Sequence, residues 1–439
     1  MKTTPINSEL VDKIIKELKI TQIGKASIRE IKKLINIIEE ESGEKFIRME
    51  MGIPGLPAPK IAIEAEKAAL DAGVASLYPD IDGIPALKKE ISRFIKNFLD
   101  VDVSPAACIP TVGSINGAFA TFMVTGRMNA KRDTVLFIDP GFPVHKQVVR
   151  MIGLKQESFD VYNFRGDKLK EKLESYLDKG NISALLYSNP NNPSWICFNE
   201  DELKIIGELA NKYNVVVAED LAYFAMDFRK DLSKPGVPPF QYTVAKYTNN
   251  YILLISASKS FSYAGQRIGM CAISDTLFNS EQKDLLRYYS SASFGHCLVH
   301  GTVYSTTAGT SHSAQYALMA LLKAVNDGSY DFVEACREYG ERAKILKKMF
   351  TAYGFKIVYD MDIDKPIADG FYFTISYPGM SGEELLKELL YYGISAISLA
   401  ITGSERTEGL RACVSLIQRN QFEVLENRLR KFNENHLND

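Results

Sequence analysis

The sequence predicts an α/β protein with a large domain, built on a mostly parallel sheet with helices on both faces, and a smaller α+β domain. From about Ile109 onward, short apolar runs alternate with stretches of helical periodicity, a pattern typical of parallel sheets. The chain of 439 residues also exceeds the size at which one hydrophobic core keeps growing. We therefore expect a large domain at 51–325, a small domain at 326–439, and an N-terminal helical arm at 1–50 that belongs to the small domain or to a dimer contact.

Composition and charge restrict the class of function. Hydrophobic residues make up 46% of the chain and charged residues 24%, and the net charge is −2, which offers no electrostatic footprint for nucleic acid or an anionic membrane surface. No apolar run is long enough to span a bilayer, and the first ten residues lack the apolar stretch of a signal peptide. The six cysteines are scattered, as is typical of free thiols in a reducing compartment. The sequence therefore predicts a cytoplasmic protein without a membrane or nucleic-acid partner.

The N-terminal arm is predicted to hold two amphipathic helices, Ser8–Leu18 and Ser27–Glu41, with Ser8 and Ser27 as N-caps. Their apolar faces require a partner surface, and none is evident nearby in the chain. We therefore expect the arm to reach across a homodimer. The following segment, Met49–Pro59, is rich in glycine and proline and predicts a loop.

The remaining elements follow from periodicity and from short apolar runs. The predicted strands of the large domain are Thr134–Ile138, Ser183–Tyr187, Val215–Ala218, Tyr251–Ile255 and Met270–Ile273. The predicted helices are Lys60–Ala72, Ile84–Leu99, Asn116–Val124, His145–Ile152, Asp167–Leu177, Glu200–Tyr213, Thr310–Asn326 and Tyr330–Tyr353. The small domain is predicted to add strands near Lys356–Tyr359, Gly370–Ser376 and Gly409–Leu416 and helices at Ser381–Tyr392 and Gln421–Glu434. The connection Phe228–Asn249 is unusually long, which makes it a candidate lid.

Chemically distinctive segments flank the predicted strands. These segments are Pro110–Ala118, Asp139–His145, Ser188–Pro193, Glu219–Tyr223 and Ser256–Gly269. Ligands of a parallel sheet bind beyond the C-terminal strand ends, so we expect the five segments to converge there. The last segment places Lys259 and Arg267 among serines and glycines with no acid between them. That composition favours an anionic ligand, although two ordinary surface cations would give the same pattern.

The five segments, in this order, resemble the class I and II aminotransferases, fold type I enzymes that depend on pyridoxal 5'-phosphate (PLP). The resemblance covers roughly residues 48 to 416. It implies that Lys259 forms the Schiff base with the cofactor aldehyde and, once displaced, carries a proton. It also implies that Asp220 keeps the pyridine nitrogen protonated, and that Tyr223 and Asn192 bond the phenolic oxygen of the ring.

The same resemblance implies where the cofactor phosphate and the substrate bind. The implied phosphate ligands are the side chains of Ser256, Ser258 and Arg267 and the backbone N–H groups at a helix start, Gly113, Ser114 and Ile115. Phe142 would stack on the pyridine ring, and Tyr78 would reach the phosphate of the neighbouring subunit. Arg411 would hold the substrate α-carboxylate with a bidentate fork. Gly52 and Ile53 match the mobile loop that closes on the substrate.

Plainer interpretations exist for several of these residues. Asp220 could cap a helix, the segment 189–193 could be only a turn, and Phe142 could be core packing. The five histidines form no ligand set, so no metal is predicted. The chain also departs from the family, which usually continues Thr-Gly after Asn-Pro, whereas here Ser194 and Trp195 follow. This departure puts substrate specificity in question rather than cofactor binding.

The sequence thus predicts a homodimeric PLP-dependent aminotransferase that moves an amino group between an L-amino acid and a 2-oxo acid. A PLP-dependent lyase, catalysing β-elimination or decarboxylation, is the alternative, because fold and Schiff base permit both. A binding module without catalysis is disfavoured, since each chemically essential position holds a competent residue. Arg287 is a candidate contact for a substrate side-chain carboxylate, and the substrates themselves are not predicted.

Overall fold

The structure, a computed structural model, describes residues 4–437, which divide into two compact units. Unit 1 comprises residues 4–55, 192–196 and 337–437, and unit 2 comprises residues 56–191 and 197–336. Most of unit 1 is therefore built from the two ends of the chain. Its remaining part is a five-residue insertion, 192–196, taken from the middle.

Most α-helices lie close to the predicted positions, whereas the short helices α9, α10 and α11 were not predicted. They are α1 (Ser8–Glu17), α2 (Ile28–Ser42), α3 (Lys60–Asp71), α4 (Pro85–Leu99), α5 (Gly113–Thr125), α6 (Pro143–Met151), α7 (Asp167–Leu177), α8 (Glu200–Tyr213), α9 (Asp275–Phe278), α10 (Phe294–His296), α11 (Tyr304–Thr307), α12 (His312–Asn326), α13 (Phe332–Ala352), α14 (Gly382–Tyr391) and α15 (Phe422–His436). A π-helical stretch, Cys297–Val303, joins α10 to α11. None of the helices within 4–437 is long and apolar enough to cross a membrane.

The strands form one large sheet and two small ones. They are β1 (Cys108–Thr111), β2 (Thr134–Asp139), β3 (Lys155–Asp160), β4 (Ile182–Ser188), β5 (Val216–Leu221), β6 (Tyr251–Ser256), β7 (Gly269–Ile273), β8 (Lys356–Ile357), β9 (Met361–Asp362), β10 (Lys365–Pro366), β11 (Tyr372–Ser376), β12 (Ile397–Ser398) and β13 (Leu410–Cys413).

Unit 2 is built on a seven-stranded sheet with the order β1-β7-β6-β5-β4-β2-β3. The strands from β6 to β3 pair in parallel, and β7 alone runs antiparallel to its neighbours β1 and β6. Every residue of β2, β4, β5 and β6 is buried, which explains their continuous apolar runs. The mostly parallel sheet predicted from the sequence is confirmed.

Strands β1 and β3 are not among the strands predicted from the sequence. The first contains Pro110, a residue that argues against a strand interior because it lacks a backbone donor. The second reads KQESFD, with exposed residues at Lys155, Gln156 and Ser158, because it lies at an edge of the sheet. An edge strand is solvated and does not require an apolar run.

Unit 1 is built on a four-stranded antiparallel sheet with the order β12-β13-β11-β8. The N-terminal arm packs within this unit: α1 contacts α2 and α14, and apolar residues such as Ile14 and Ile35 are fully buried. Tyr391 Oη donates to Asp12 Oδ1 at 2.8 Å. The partner surface that the arm requires therefore lies within unit 1, on α2 and on α14, which is nearly 400 residues later in sequence. The expected reach across a homodimer stays a prediction.

One predicted helix cap differs in the structure. The N-cap of α1 is Asn7, whose side chain accepts from the Glu9 N–H, and Ser8 is already helical. Asparagine is as good a cap as serine, so the cap identity shifts by one residue. The predicted cap Ser27 is confirmed, with a reciprocal bond to Glu30.

The long connection 228–249 is tied to the rest of unit 2 along its length. Gly236 N donates to Asn97 O at 2.9 Å, and Gln241 N donates to Phe98 O at 3.0 Å. Thr243 Oγ1 donates to the buried carboxylate of Glu219. Because these bonds fasten the segment at several points, it is not a lid that hinges at its two ends.

Candidate active site

The candidate phosphate ligands meet at one edge of the unit 2 sheet. Gly269 pairs with Thr111 on one side and with Ser256 on the other, which brings the end of β1 and the end of β6 together. The Ser258 N–H donates to Ser256 Oγ at 3.1 Å. The predicted serines therefore lie beside the chain segment that leads into α5.

The first turn of α5 and Arg267 form the second half of this cradle. Gly113 has φ +70°, a conformation that favours glycine, and a Cβ on it would lie 2.6 Å from Arg267 Nη2. The α5 N-terminus carries no side-chain cap, and its free N–H groups and dipole favour an anion. Arg267 is itself exposed and donates through Nη1 to Ala264 O at 2.8 Å. This donor set of hydroxyls, backbone N–H groups and a guanidinium suits a phosphate.

Asp220, the last but one residue of β5, is buried and held by two bonds. His145 Nε2 donates to Asp220 Oδ2 at 3.1 Å, and the Ala222 N–H donates to Oδ1 at 3.1 Å. His145 is 2% exposed, and its Nδ1 has no hydrogen-bond partner within residues 4–437. The carboxylate is thereby fixed in orientation, as a partner for a ring nitrogen has to be.

Lys259 follows β6, the strand next to β5. Its backbone carbonyl accepts from the Ser262 N–H at 3.1 Å. Cys336 Sγ donates to the carbonyl of the next residue, Ser260, at 3.1 Å, and burial raises the pKa of that thiol to about 12. The thiol thus stays protonated and acts as a hydrogen-bond donor that holds the lysine turn.

The other predicted residues of unit 2 differ in burial: one is buried, one is half-buried and two are exposed. Tyr223 is 4% exposed, directly beyond β5. The half-buried ring of Phe142 lies edge-to-face against His145, with ring centroids 5.6 Å apart. Tyr78 is 92% exposed, so it contributes little to the core of its own chain. Arg287 is exposed and donates through Nε to the Asp284 carbonyl at 3.0 Å.

Unit 1 contains a separate polar centre at Arg411 on β13. Its side chain is 2% exposed; Nη1 donates to Asn192 Oδ1 at 3.3 Å, and Nη2 donates to the Glu50 carbonyl at 2.6 Å. The guanidinium lies over the Tyr372 ring, 4.7 Å from its centroid. Nε has no hydrogen-bond partner among residues 4–437. A buried cation with an unused donor is costly unless a ligand completes it.

The loop before α3 is fixed against this centre. The Glu50 side chain is fully buried and accepts from Arg48 at 2.7 Å and from Ser395 Oγ. These bonds aim the Glu50 carbonyl at Arg411. Gly52 lies against the Tyr372 hydroxyl, which a Cβ would approach to 2.0 Å. Ile53 is 40% exposed.

Five residues that contact the candidate site residues were not predicted from the sequence: His145, Glu50, Tyr372, Ser395 and Cys336. His145 ends the Asp139–His145 segment, but nothing in that segment indicates its bond to Asp220. The other four carry no motif, because their partners lie tens to hundreds of residues away in sequence. Only the fold brings these pairs together.

A carboxylate adjacent to the candidate centre gives a pH-dependent prediction. Glu219 is fully buried on β5, and burial raises its pKa to about 7. Between pH 4.5 and 7 the unfolded chain is ionised while the folded chain keeps the proton, so stability falls as pH rises through this window. The total loss is roughly 3 kcal/mol. Glu219→Gln removes this titration. Relative to wild type, the free energy of unfolding of the variant should therefore rise by roughly 3 kcal/mol from pH 5 to pH 8.

Thermal unfolding of wild type and Glu219→Gln at pH 5 and pH 8 measures this difference. Glu208→Gln, on the exposed face of α8, is the matched control and should track wild type at both pH values. A Glu219→Gln curve that stays parallel to wild type across the window would contradict the assignment.

Comparisons with known proteins identify the family of this chain. The family model for aminotransferase class I and II matches residues 44–429. The chain belongs to this family. Among curated proteins, it is 26% identical over 351 residues to a probable aspartate aminotransferase of Methanocaldococcus jannaschii, covering 78% of this chain and 82% of that one. It is 26% identical over 389 residues to the aspartate aminotransferase of Pyrococcus horikoshii, covering 85% of each chain.

Solved structures share the fold of this aminotransferase. Alanine aminotransferase from Pyrococcus furiosus superposes with a TM-score of 0.75 at 19% identity, covering 96% of this chain and 99% of that one. Aspartate aminotransferase from Thermotoga maritima gives 0.74 at 20% identity, covering 97% and 100%. The aspartate aminotransferase of Thermus thermophilus with maleate gives 0.74 at 18% identity, covering 96% and 98%.

The aminotransferase is therefore PLP-dependent, and the residues of unit 2 suit that cofactor. The cradle of Gly113, Ser256 and Arg267 offers donors to a phosphate. Asp220 lies on β5 and Lys259 follows β6, the neighbouring strand, so both residues are near one edge of the sheet. When bound, PLP supplies an aldehyde for an amine and a ring that accepts electrons from the substrate α-carbon.

Proposed function

We propose that this aminotransferase binds an α-amino acid through its carboxylate on Arg411 and uses Lys259 as the covalent anchor of PLP. The observation that carries the proposal is the buried guanidinium of Arg411, whose Nε has no partner within residues 4–437. Two nitrogens of one edge of a guanidinium match the two oxygens of a carboxylate. Asn192 and the Glu50 carbonyl hold the terminal nitrogens in place.

The remaining side chains receive roles that follow from their chemistry. Lys259 would supply the amine that holds PLP and, once displaced by the amino donor, would accept the proton of the substrate α-carbon. Asp220, oriented by His145, would keep a positive charge on the ring nitrogen. The resemblance assigns Tyr223 and Asn192 as donors to the ring oxygen. The cradle at Gly113 and Arg267 keeps the phosphate, and with it the cofactor, from dissociating.

The test is a panel of amino donors and 2-oxo-acid acceptors with the purified, PLP-loaded protein. L-aspartate with 2-oxoglutarate is the first pair, because two of the relatives above are named aspartate aminotransferases. We expect a visible absorbance band that shifts on adding a donor, and an amino acid formed from the acceptor. Ammonia release without an aminated acceptor would indicate a lyase instead. A colourless protein that ignores added PLP would refute the proposal.

We further propose a homodimer. Unit 2 exposes apolar side chains in and after α3: Ile61 (41%), Leu70 (47%), Leu77 (61%) and Tyr78 (92%). They adjoin a cavity of about 390 Å³ lined in part by Ile63, Leu70 and Tyr263. An apolar surface of this kind favours a protein partner, and the resemblance assigns Tyr78 to the neighbouring subunit.

Sedimentation equilibrium should give twice the 49.1 kDa of one chain. We expect Leu77→Asp to shift the population towards monomer by at least about tenfold, because a charge would be buried in the interface. Val424→Asp, on an exposed apolar side chain of unit 1, is the control and should leave the mass unchanged. A fully active monomer would refute the dimer.

The six cysteines also bear on cellular location. All six are free and buried, which suits a reducing compartment, and we propose the cytoplasm. Fractionation of cells that produce the protein tests this, and recovery in a secreted or membrane fraction would contradict it.

A further inference from the structure

Trp195 occupies an unusual backbone position beside the Arg411 centre. It is the only tryptophan of the chain, its side chain is fully buried, and its φ is +64°. A bulky residue in the left-handed region is strained and persists only where surrounding contacts hold it. The class I and II family usually has glycine at this position, so in this chain an indole replaces a hydrogen atom.

Two residues of unit 1 accommodate the indole. A Cβ on Gly370 would lie 2.0 Å from Trp195 Cε2 and 2.1 Å from Cζ2, so the ring lies directly on the Gly370 backbone. On β11, the Tyr372 ring meets the indole edge-to-face, with centroids 6.2 Å apart. Trp195 and Gly370 are therefore a size-matched pair, and Tyr372 is packed against the larger member.

Tyr372 connects this pair to the carboxylate anchor. Its ring lies 4.7 Å from the Arg411 guanidinium carbon, and its hydroxyl lies against Gly52. Asn192, three residues before Trp195, accepts from Arg411 Nη1. The 192–196 insertion thus contacts Arg411 directly through Asn192 and indirectly through Trp195 and Tyr372.

We propose that Trp195 is a positioning residue that fixes the Arg411 fork through Tyr372 and thereby sets the affinity for the substrate carboxylate. This rests on the proposed role of Arg411 as the carboxylate anchor. A tryptophan that only fills the core would change stability alone. A positioning residue changes carboxylate affinity more than it changes turnover, because the misplaced fork weakens binding of the carboxylate in both ground and transition states.

The first test uses the intrinsic fluorescence of Trp195 in the PLP-loaded protein, with maleate as the carboxylate probe. We expect a saturable change in emission as maleate binds. Two controls should give no change: the diamide of maleic acid, which lacks the carboxylates, and sodium chloride at equal ionic strength. The response should disappear in Arg411→Gln. Maleate that binds by equilibrium dialysis and requires Arg411, yet leaves the emission unchanged, would overturn the proposal.

The second test uses Trp195 variants. Trp195→Gly should raise the KM for the amino donor and the Kd for maleate by about tenfold, with kcat changed less than about threefold. Trp195→Phe keeps an aromatic ring and should recover most of this loss. A KM and a Kd that stay at wild-type values in both variants would overturn the proposal. Should Trp195→Gly not fold, the fluorescence titration and Trp195→Phe still decide.

The third test exploits the size match with Gly370. Gly370→Ala should weaken maleate binding in the wild-type background, because the new methyl group displaces the indole. The same change should have little further effect in Trp195→Gly, where the space is empty. If Gly370→Ala changed the maleate affinity equally in both backgrounds, Gly370 would act independently of Trp195, which would contradict the proposal. Maleate binding needs no turnover. A wild-type protein that binds maleate but transaminates no donor would refute the proposed function, whereas the maleate affinities of the variants would still test the role of Trp195.

Discussion

Lys259→Ala is expected to lower kcat by roughly four orders of magnitude or more, while the protein stays folded. The variant loses both the amine that anchors PLP and the group that moves the α-proton, and a positioned proton carrier alone is worth 10²–10⁴-fold. Methyl replaces a half-buried side chain at the end of a turn held by its backbone and by Cys336. We therefore expect the circular dichroism spectrum and the melting temperature to change little.

Single-turnover absorbance and steady-state product formation measure this effect. Lys204→Ala is the matched control, because Lys204 is exposed on α8, and its kcat should equal that of wild type. A Lys259→Ala protein that retained more than about a tenth of wild-type turnover would exclude Lys259 as the anchor. Loss of turnover together with loss of fold would show only a structural role, and the melting curve distinguishes the two.

Arg411→Gln is expected to lower kcat/KM for the amino donor by about 10³-fold. Charge-assisted hydrogen bonds contribute about 1.5–3 kcal/mol each, so losing a bidentate pair removes roughly 4 kcal/mol of transition-state binding. Arg411→Lys keeps the charge but loses the planar fork, and we expect an intermediate loss of about 10². Tyr372, which packs under the guanidinium, should keep the site ordered in both variants.

Steady-state kinetics with the best donor, together with maleate affinity, measures this prediction. The control is Arg430→Gln, because Arg430 is exposed on α15 and donates through Nη2 to Asn427 Oδ1 at 2.7 Å; its kinetics should match wild type. An Arg411→Gln protein with wild-type affinity for maleate would place the carboxylate elsewhere.

The fold of unit 2 was largely predictable, because its strands are buried on both faces. Burial on two sides requires continuous apolar runs such as Tyr251–Ile255, and such runs are visible in the sequence. Strands β1 and β3 were not predicted because neither has a continuous apolar run: a proline interrupts the first, and the second is a solvated edge strand. The antiparallel direction of β7 was not predicted either, since strand direction depends on which neighbour a strand pairs with.

The residues of the candidate site divide in the same way. Lys259, Asp220 and Arg267 lie at or just beyond strand ends in a recognisable order, so the sequence alone was enough to predict them. His145 and Glu50 have no such signature. They act by orienting Asp220 and Arg411, and their identity depends on which side chain the fold brings within about 3 Å. Trp195 lies between these cases: the sequence marked it as a departure, but only packing against Gly370 and Tyr372 gave it a role.

The class of sheet, the family and the order of the segments predicted to bind the cofactor were all readable from the sequence. These features are local, because each depends on periodicity or on a short motif beyond one strand. The tertiary structure alone decided that the N-terminal arm packs on α14 of its own chain and that residues 192–196 join unit 1. It also decided that the Arg411 guanidinium is held by Asn192, Glu50 and Tyr372. These contacts join residues up to several hundred positions apart, and hydrophobic burial and hydrogen bonding between such residues leave no periodic trace in the sequence.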